Sequence, residues 1–92
     1  METTTALINT DTTTAIYKVV HRLDTQGLTC PEPVMLLHRK IRQMQVGEVV
    51  ELLATDPSTE RDILKFCTFL GHALLTKRQD DKTYLYHIQK RD

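Results

Sequence analysis

The sequence predicts a two-layer α/β (α+β) sandwich, in which two helices cover one face of a four-stranded mixed sheet in the order βαβαββ. Two segments alternate between apolar and polar residues, as half-buried strands do. Two others place apolar residues at intervals of three and four, as amphipathic helices do. The chain has 92 residues, enough for one modest core. We therefore expect one domain over residues 15–92, preceded by a flexible, threonine-rich tail over residues 1–14.

The first half of the chain predicts a strand, a turn and a helix. Residues 15–23 alternate, which assigns Tyr17 and Leu23 to one face of a strand. Residues 24–27 ("DTQG") have the composition of a tight turn. An apolar stripe then indicates a helix that ends before Gly47 and is formed by Val34, Leu37, Ile41 and Met44.

The middle of the chain predicts a second strand and a second helix. Residues 48–54 ("EVVELLA") form a short apolar run typical of a strand. Ser58 or Thr59 can cap the following helix through its hydroxyl, and Gly71 suits the other end. Between these ends, apolar residues again recur at helical spacing: Ile63, Phe66, Cys67 and Leu70.

The last part of the chain predicts two strands joined by a tight turn. Residues 72–79 read as one strand, Asp80 and Asp81 as the turn, and residues 83–89 as the second strand. In that second strand, alternation places three residues on one face, which we expect to be buried: Tyr84, Tyr86 and Ile88.

Charge and composition exclude several classes of function. The formal net charge is zero, which gives no support for nucleic-acid binding driven by a basic face. No apolar run of about 18 residues predicts a membrane span, and the N-terminus lacks the pattern of a signal peptide. We expect a cytoplasmic protein. In that reducing compartment Cys30 and Cys67 are not expected to form a structural disulfide, and two cysteines alone make no zinc site.

The stretch "GLTCPEPVM" places a cysteine directly before a helix start. Pro31 suits the first helical position, but Pro33 disfavours helical angles at Glu32, so the helix is expected to begin either at Pro31 or only at Pro33. The positive end of the helix dipole favours a thiolate at Cys30, whereas Glu32 opposes it. We expect an accessible thiol with a slightly lowered pKa, which suits a group that receives and passes on an activated atom.

The residues around this cysteine resemble the signature of the TusA family of small sulfur-carrier proteins (SirA-like proteins). A second block, residues 56–69 ("DPSTERDILKFCTF"), resembles another conserved block of the family, and the resemblance covers roughly residues 15–92. The first signature has the spacing Asp…Gly…Cys-Pro-x-Pro, which is supplied here by Asp24, Gly27, Cys30, Pro31 and Pro33.

The resemblance implies the βαβαββ fold and a sulfurtransferase function. TusA-like proteins accept sulfane sulfur from the persulfide of a cysteine desulfurase, hold it on the motif cysteine, and pass it to a relay complex for 2-thiolation of the tRNA wobble uridine. By motif, Cys30 is the acceptor. The pyridoxal phosphate belongs to the donor, so we expect no cofactor or metal on this chain. The residues implied to support the motif are Asp24, Gly27, Pro31, Glu32 and Pro33.

The same motif also occurs in carriers for molybdenum-cofactor assembly or sulfur oxidation, which stay open as alternatives. A non-catalytic RNA- or protein-binding regulatory module is a further alternative. Aromatic residues can stack on bases, but alternation assigns the tyrosines to the core, and tRNA contact is expected to be indirect or weak. We expect a monomer.

Outside the motif, three residues are candidates for partner contact: Met35, Arg39 and Lys40. Cys67 lies on the apolar stripe and is expected in the core, with a resolving thiol as the other interpretation. The four histidines show no metal-ligand spacing.

Overall fold

The computed structural model describes residues 17–91 and confirms the predicted order of strands and helices. The predicted tail, residues 1–14, lies outside the described residues, as do Ala15 and Ile16 of the predicted first strand. The elements are β1 (Val19–Thr25), α1 (Glu32–Gln43), β2 (Val49–Ala54), α2 (Thr59–Leu70), β3 (Ala73–Asp80) and β4 (Thr83–Gln89).

The strands form the predicted mixed sheet, in the order β1-β2-β4-β3. β1 and β2 are parallel, whereas β4 is antiparallel to both β2 and β3. Parallel neighbours need a crossover connection, and α1 provides it. Thr25 and Ala54 are the last paired residues of β1 and β2. The loops that follow these two strands therefore leave the sheet at the same edge, side by side.

The core lies between the helices and one face of the sheet. Leu37 of α1 and Ile63 of α2 are fully buried and belong to one cluster with Leu52 and Tyr86 of the sheet. Full burial of each such aliphatic side chain contributes about 1.5–3 kcal/mol. Cys67 belongs to the same cluster, as predicted. The other buried members are Ile41, Met44, Val50, Ala54, Phe66, Tyr84 and Ile88.

The end of β1 differs from the sequence prediction. Asp24 and Thr25, which the sequence assigns to a turn, are the last two residues of the strand. Pairing with β2 continues as far as Ala54, and the buried Thr25 hydroxyl donates a hydrogen bond to the Leu53 carbonyl at 2.6 Å. These contacts with β2 keep Asp24 and Thr25 in the strand, although their composition favours a turn.

The start of β1 also corrects a prediction, because Tyr17 and Leu23 lie on opposite faces of the sheet. The register shifts between Val19 and His21, which interrupts the alternation. Leu23 packs against the core, whereas the Tyr17 hydroxyl bonds His87 Nδ1 at 2.7 Å on the face without helices. The sequence carries no glycine or proline that would signal this irregularity.

The ends of α2 give one confirmed and one wrong prediction. Gly71 ends the helix with φ 80, in the left-handed conformation that glycine adopts without strain. Ser58 is the N-cap residue, but neither hydroxyl caps the helix, since Ser58 has helical angles and makes no side-chain cap bond. Thr59 instead donates to the Asp56 carbonyl at 2.7 Å. Neither helix among residues 17–91 is long and apolar enough to cross a membrane.

Candidate functional site

Cys30 lies in the loop between β1 and α1, exposed to solvent and one residue before the N-cap Pro31. The Cys30–Pro31 peptide bond is cis. α1 begins at Glu32, one residue after Pro31 and one before Pro33, so it starts at neither predicted proline; Pro33 is buried in its first turn. The two prolines and the helix therefore form a rigid base for the exposed thiol.

Asp56 ties the Cys30 loop to the start of α2. Its Oδ2 accepts the backbone N–H of Cys30 at 2.6 Å, and its Oδ1 accepts the backbone N–H of Ser58 at 3.0 Å. The bond from the Ser58 N–H is the larger cause, and that from the Cys30 N–H the second, by which the pKa of Asp56 is held below its usual value. Sequence reasoning missed this residue. The Asp-Pro-Ser order is a signal for such a turn, since aspartate often bonds the backbone two residues on.

Asp62, in the first turn of α2, is the second acidic residue at the site that sequence reasoning missed. Its carboxylate lines the same pocket as Cys30 and is the main cause that raises the pKa of the Cys30 thiol. Partial desolvation and the negative charges of Asp62 and Asp56 act in the same direction, whereas the nearby Ser58 hydroxyl lowers the pKa. The expected lowering of this pKa by the helix dipole is therefore wrong, because nearby acidic groups outweigh the dipole.

An apolar pocket of about 800 Å³ opens beside the thiol, between α1 and α2. Phe69 at its rim is 87% exposed, and Leu64 is 52% exposed. Large apolar side chains this exposed are typical of surfaces that contact another molecule. The other lining residues are Cys30, Pro31, Val34, Asp62, Lys65, Phe66 and Thr68.

A second groove, on the outer side of α1, carries most of the predicted contact residues. Met35 and Arg39 line it, and Met35 is 62% exposed. His38 and Arg42 add basic groups to the same groove. Lys40 is half-buried and does not line it, because it faces another side of the helix.

The remaining motif residues lie before or after Cys30 in the chain and do not line the pocket beside its thiol. Gly27 has φ 84, where a residue with Cβ is strained, and its N–H donates to Thr55 Oγ1 at 2.9 Å. Asp24 Oδ1 accepts the N–H of Gln26 at 3.0 Å. Glu32 is exposed on the first turn of α1. None of these three lines the pocket beside the thiol.

Cys67 is separated from this site by burial. It is 2% exposed, and burial raises its pKa to about 11, which leaves it a thiol at neutral pH. Both cysteines are free. Among residues 17–91, no three His, Cys, Asp or Glu side chains come together as metal ligands would.

Comparisons with known proteins identify a family and relatives that this chain resembles. The family described as "Sulfurtransferase TusA" matches residues 21–90. The Sulfur carrier protein TusA of Pseudomonas entomophila (strain L48) is 56% identical over 69 residues, covering 75% of this chain and 86% of that protein. The Sulfur carrier protein TusA of Pseudomonas paraeruginosa is 55% identical over 69 residues, covering 75% and 87%.

A solved structure shows the same fold at low sequence similarity. The crystal structure of a SirA-like protein from Desulfitobacterium hafniense superposes with a TM-score of 0.70 and 19% identity. The match covers 79% of this chain and 100% of that one. It supports the two-layer architecture described above.

Proposed function

The chain belongs to the TusA family of sulfur carriers, and from this membership we propose that it accepts sulfane sulfur from a cysteine desulfurase as a persulfide on Cys30. It then passes the sulfur to a relay complex for 2-thiolation of the tRNA wobble uridine. The observation that carries this proposal is the exposed Cys30 thiol on a rigid helix start, beside an apolar pocket with exposed rim residues.

The proposed transfer is a displacement at sulfur. The Cys30 thiolate attacks the terminal sulfur of the donor persulfide, the donor S–S bond breaks, and the donor cysteine leaves as a thiolate. The proton that Cys30 gives up ends on that leaving thiolate. The raised pKa of Cys30 keeps the free chain largely in the thiol form, so the reaction depends on activation within the complex with the donor.

The apolar pocket and the basic groove on α1 are the surfaces that we assign to protein partners. Phe69 and Met35 supply apolar contact at the edges of the two surfaces. Arg39 and Arg42 make no ion pair with any other residue of the described chain. They are therefore free to meet an acidic partner, whose approach they would accelerate.

Of the alternatives, direct RNA binding loses most of its candidate stacking residues. Phe66, Tyr84 and Tyr86 are buried in the core, whereas Phe69 is 87% exposed and is the one of the four candidates that could stack on a base. A carrier for a different sulfur pathway would use the same cysteine motif, so the tRNA route needs a test of its own. The proposal also places the protein in the cytoplasm, where thiols stay reduced.

The test is the intact mass of the protein after incubation with a cysteine desulfurase and cysteine. We expect a gain of one sulfur atom that reductant reverses. Cys30→Ser should fold normally and gain nothing. Cys67→Ala is the matched control, since it removes the other thiol. Sulfur acceptance by Cys30→Ser, or its absence from the unaltered chain, would contradict the proposal. Loss of wobble-uridine thiolation in cells that carry only Cys30→Ser would test the tRNA route.

A further inference from the structure

Ser58 carries a buried hydroxyl that the fold does not use. Its Oγ is buried and has no hydrogen-bond partner among residues 17–91. Although Ser58 is the N-cap residue of α2, its side chain makes no cap bond. The next hydroxyl along the chain, that of Thr59, bonds both the Asp56 carbonyl and Tyr86. Buried hydroxyls in folded proteins generally have such partners, because a buried hydroxyl without one destabilises the fold.

A single carboxylate brings Ser58 next to Cys30. Asp56 Oδ1 accepts the backbone N–H of Ser58 at 3.0 Å, and Asp56 Oδ2 accepts that of Cys30 at 2.6 Å. One turn further along α2, Asp62 donates its N–H to the Ser58 carbonyl at 3.0 Å and lines the pocket together with Cys30. Ser58 therefore lies beside the Cys30 loop, on the side where α2 begins.

We propose that the Ser58 hydroxyl donates a hydrogen bond to the Cys30 sulfur when that sulfur is a thiolate, and so stabilises the reactive form. A serine hydroxyl turns about its C–O bond, so it can direct its proton to a new acceptor while the backbone stays in place. A hydrogen bond to the charged form of a group favours that form. The stabilisation is a property of the free chain. Only its part in sulfur transfer rests on the proposed function.

Most of the charged groups near Cys30 oppose a thiolate, which leaves this role to a neutral donor. The acidic side chains are Glu32 of α1, Asp56 of the loop before α2 and Asp62 of α2. The basic ones are Lys65, which is exposed at the pocket, and Arg61, which contacts Asp62. Asp62 and Asp56 raise the pKa of Cys30, whereas the Ser58 hydroxyl lowers it.

The bond serves both halves of the proposed transfer. In acceptance, a larger thiolate fraction at Cys30 speeds attack on the terminal sulfur of the donor persulfide. In donation, a thiolate of the next carrier attacks the terminal sulfur held on Cys30. A new S–S bond forms, the S–S bond to Cys30 breaks, and Cys30 leaves as a thiolate, which is faster when that thiolate is stabilised. Ser58 keeps its own proton in both steps.

The experiment measures the rate at which iodoacetamide alkylates Cys30 across a range of pH, in the unaltered chain and in Ser58→Ala. The Cys30 thiolate attacks the CH₂ carbon, a C–S bond forms, the C–I bond breaks, and iodide leaves, while the thiol proton goes to buffer. Peptide mapping separates Cys30 from Cys67. In Ser58→Ala we expect the midpoint of the rate profile to move to higher pH, and the rate at pH 7 to fall at least about twofold.

Urea unfolding of the same variants separates this role from a structural one. Ser58→Ala removes a hydroxyl that has no partner among the described residues of the free chain, so its urea midpoint should stay unchanged or rise. A hydroxyl that supports the fold would give a lower midpoint. Thr29→Ala is the matched control, because it removes an exposed hydroxyl from the residue directly before Cys30. Its alkylation profile and urea midpoint should equal those of the unaltered chain.

Each outcome decides the proposal. An alkylation midpoint that stays in place or falls in Ser58→Ala overturns it, as does an equal shift in Thr29→Ala. A lower urea midpoint in Ser58→Ala, or its failure to fold, overturns it as well, because the hydroxyl would then be structural. Since alkylation needs no desulfurase, a failure of sulfur acceptance in the mass experiment leaves this result standing, so the two proposals fail separately.

Discussion

The Asp56 carboxylate accepts the backbone N–H of Cys30 at 2.6 Å, so a side chain from one loop fixes the backbone of another. The two loops follow the parallel strands β1 and β2, whose last paired residues are Thr25 and Ala54. The position of the thiol is therefore set by the sheet as well as by the prolines that flank it.

The lowered pKa of Asp56 predicts a loss of stability in acid. The folded pKa lies below the ordinary value of about 4 because the N–H groups of Ser58 and Cys30 favour the carboxylate. The contribution of Asp56 to folding stability is therefore complete above that ordinary pKa and is lost as pH falls through the folded pKa.

In Asp56→Asn, urea unfolding should show a lower free energy of unfolding at pH 7 and a smaller loss of that free energy in acid. Asp80→Asn, at an exposed strand end, should keep the full decline. Parallel plots of unfolding free energy against pH for Asp56→Asn and the unaltered chain would contradict this prediction.

Tyr86→Phe should destabilise the protein by about 1 kcal/mol. The Tyr86 hydroxyl lies 2.8 Å from Thr59 Oγ1, and both residues are buried. Thr59 donates its proton to the Asp56 carbonyl, so Tyr86 is the donor to Thr59. Removal of that donor leaves a buried hydroxyl with one partner fewer. Tyr84→Phe is the control, because Tyr84 is also buried but has no side-chain hydrogen bond among residues 17–91. Equal urea midpoints for the two variants would contradict the assignment.

Cys67→Ala should cost about 1 kcal/mol of stability and leave sulfur acceptance intact. The side chain is 2% exposed within the core cluster, so its loss leaves a small cavity. Chemical denaturation measures the first effect and intact mass the second. A folded Cys67→Ala that accepts no sulfur would instead support a mechanism with two thiols.

Arg39→Glu should slow sulfur acceptance about three- to tenfold at low salt by weakening association with the donor. Arg39 lines the groove on α1 and is exposed, so folding should not change. The effect should appear in KM rather than kcat and should fade as salt rises. Arg78→Glu, exposed on β3, makes the same change of charge away from both grooves. A similar loss in Arg78→Glu would point to net charge rather than to this surface.

The fold was predictable because its signals are local. The apolar stripe of α2, from Ile63 to Leu70, and the glycine that ends that helix are both readable within a few turns of sequence. Likewise, Cys30 and Pro31 are neighbours, so their place at a helix start follows from proline geometry.

The acidic half of the site could not be predicted in this way. Asp56 is 26 residues from Cys30 in sequence, and Asp62 lies further still along α2. Both lie near Cys30 because parallel pairing and helix packing bring the two loops together. The register shift between Val19 and His21 was unpredictable for a related reason, since it depends on how β1 pairs with β2 and not on the residues of β1 alone.

The shared edge at which β1 and β2 end has a consequence for engineering this protein. Insertion of one residue between Thr25 and Cys30 would keep the Cys-Pro-x-Pro run intact, yet it would shift Cys30 relative to Asp56 and Asp62. The length of this loop thus determines where the Cys30 thiol lies relative to the two carboxylates. Chimaeras that exchange motifs between such domains should conserve the spacing to the strand end as strictly as the motif itself.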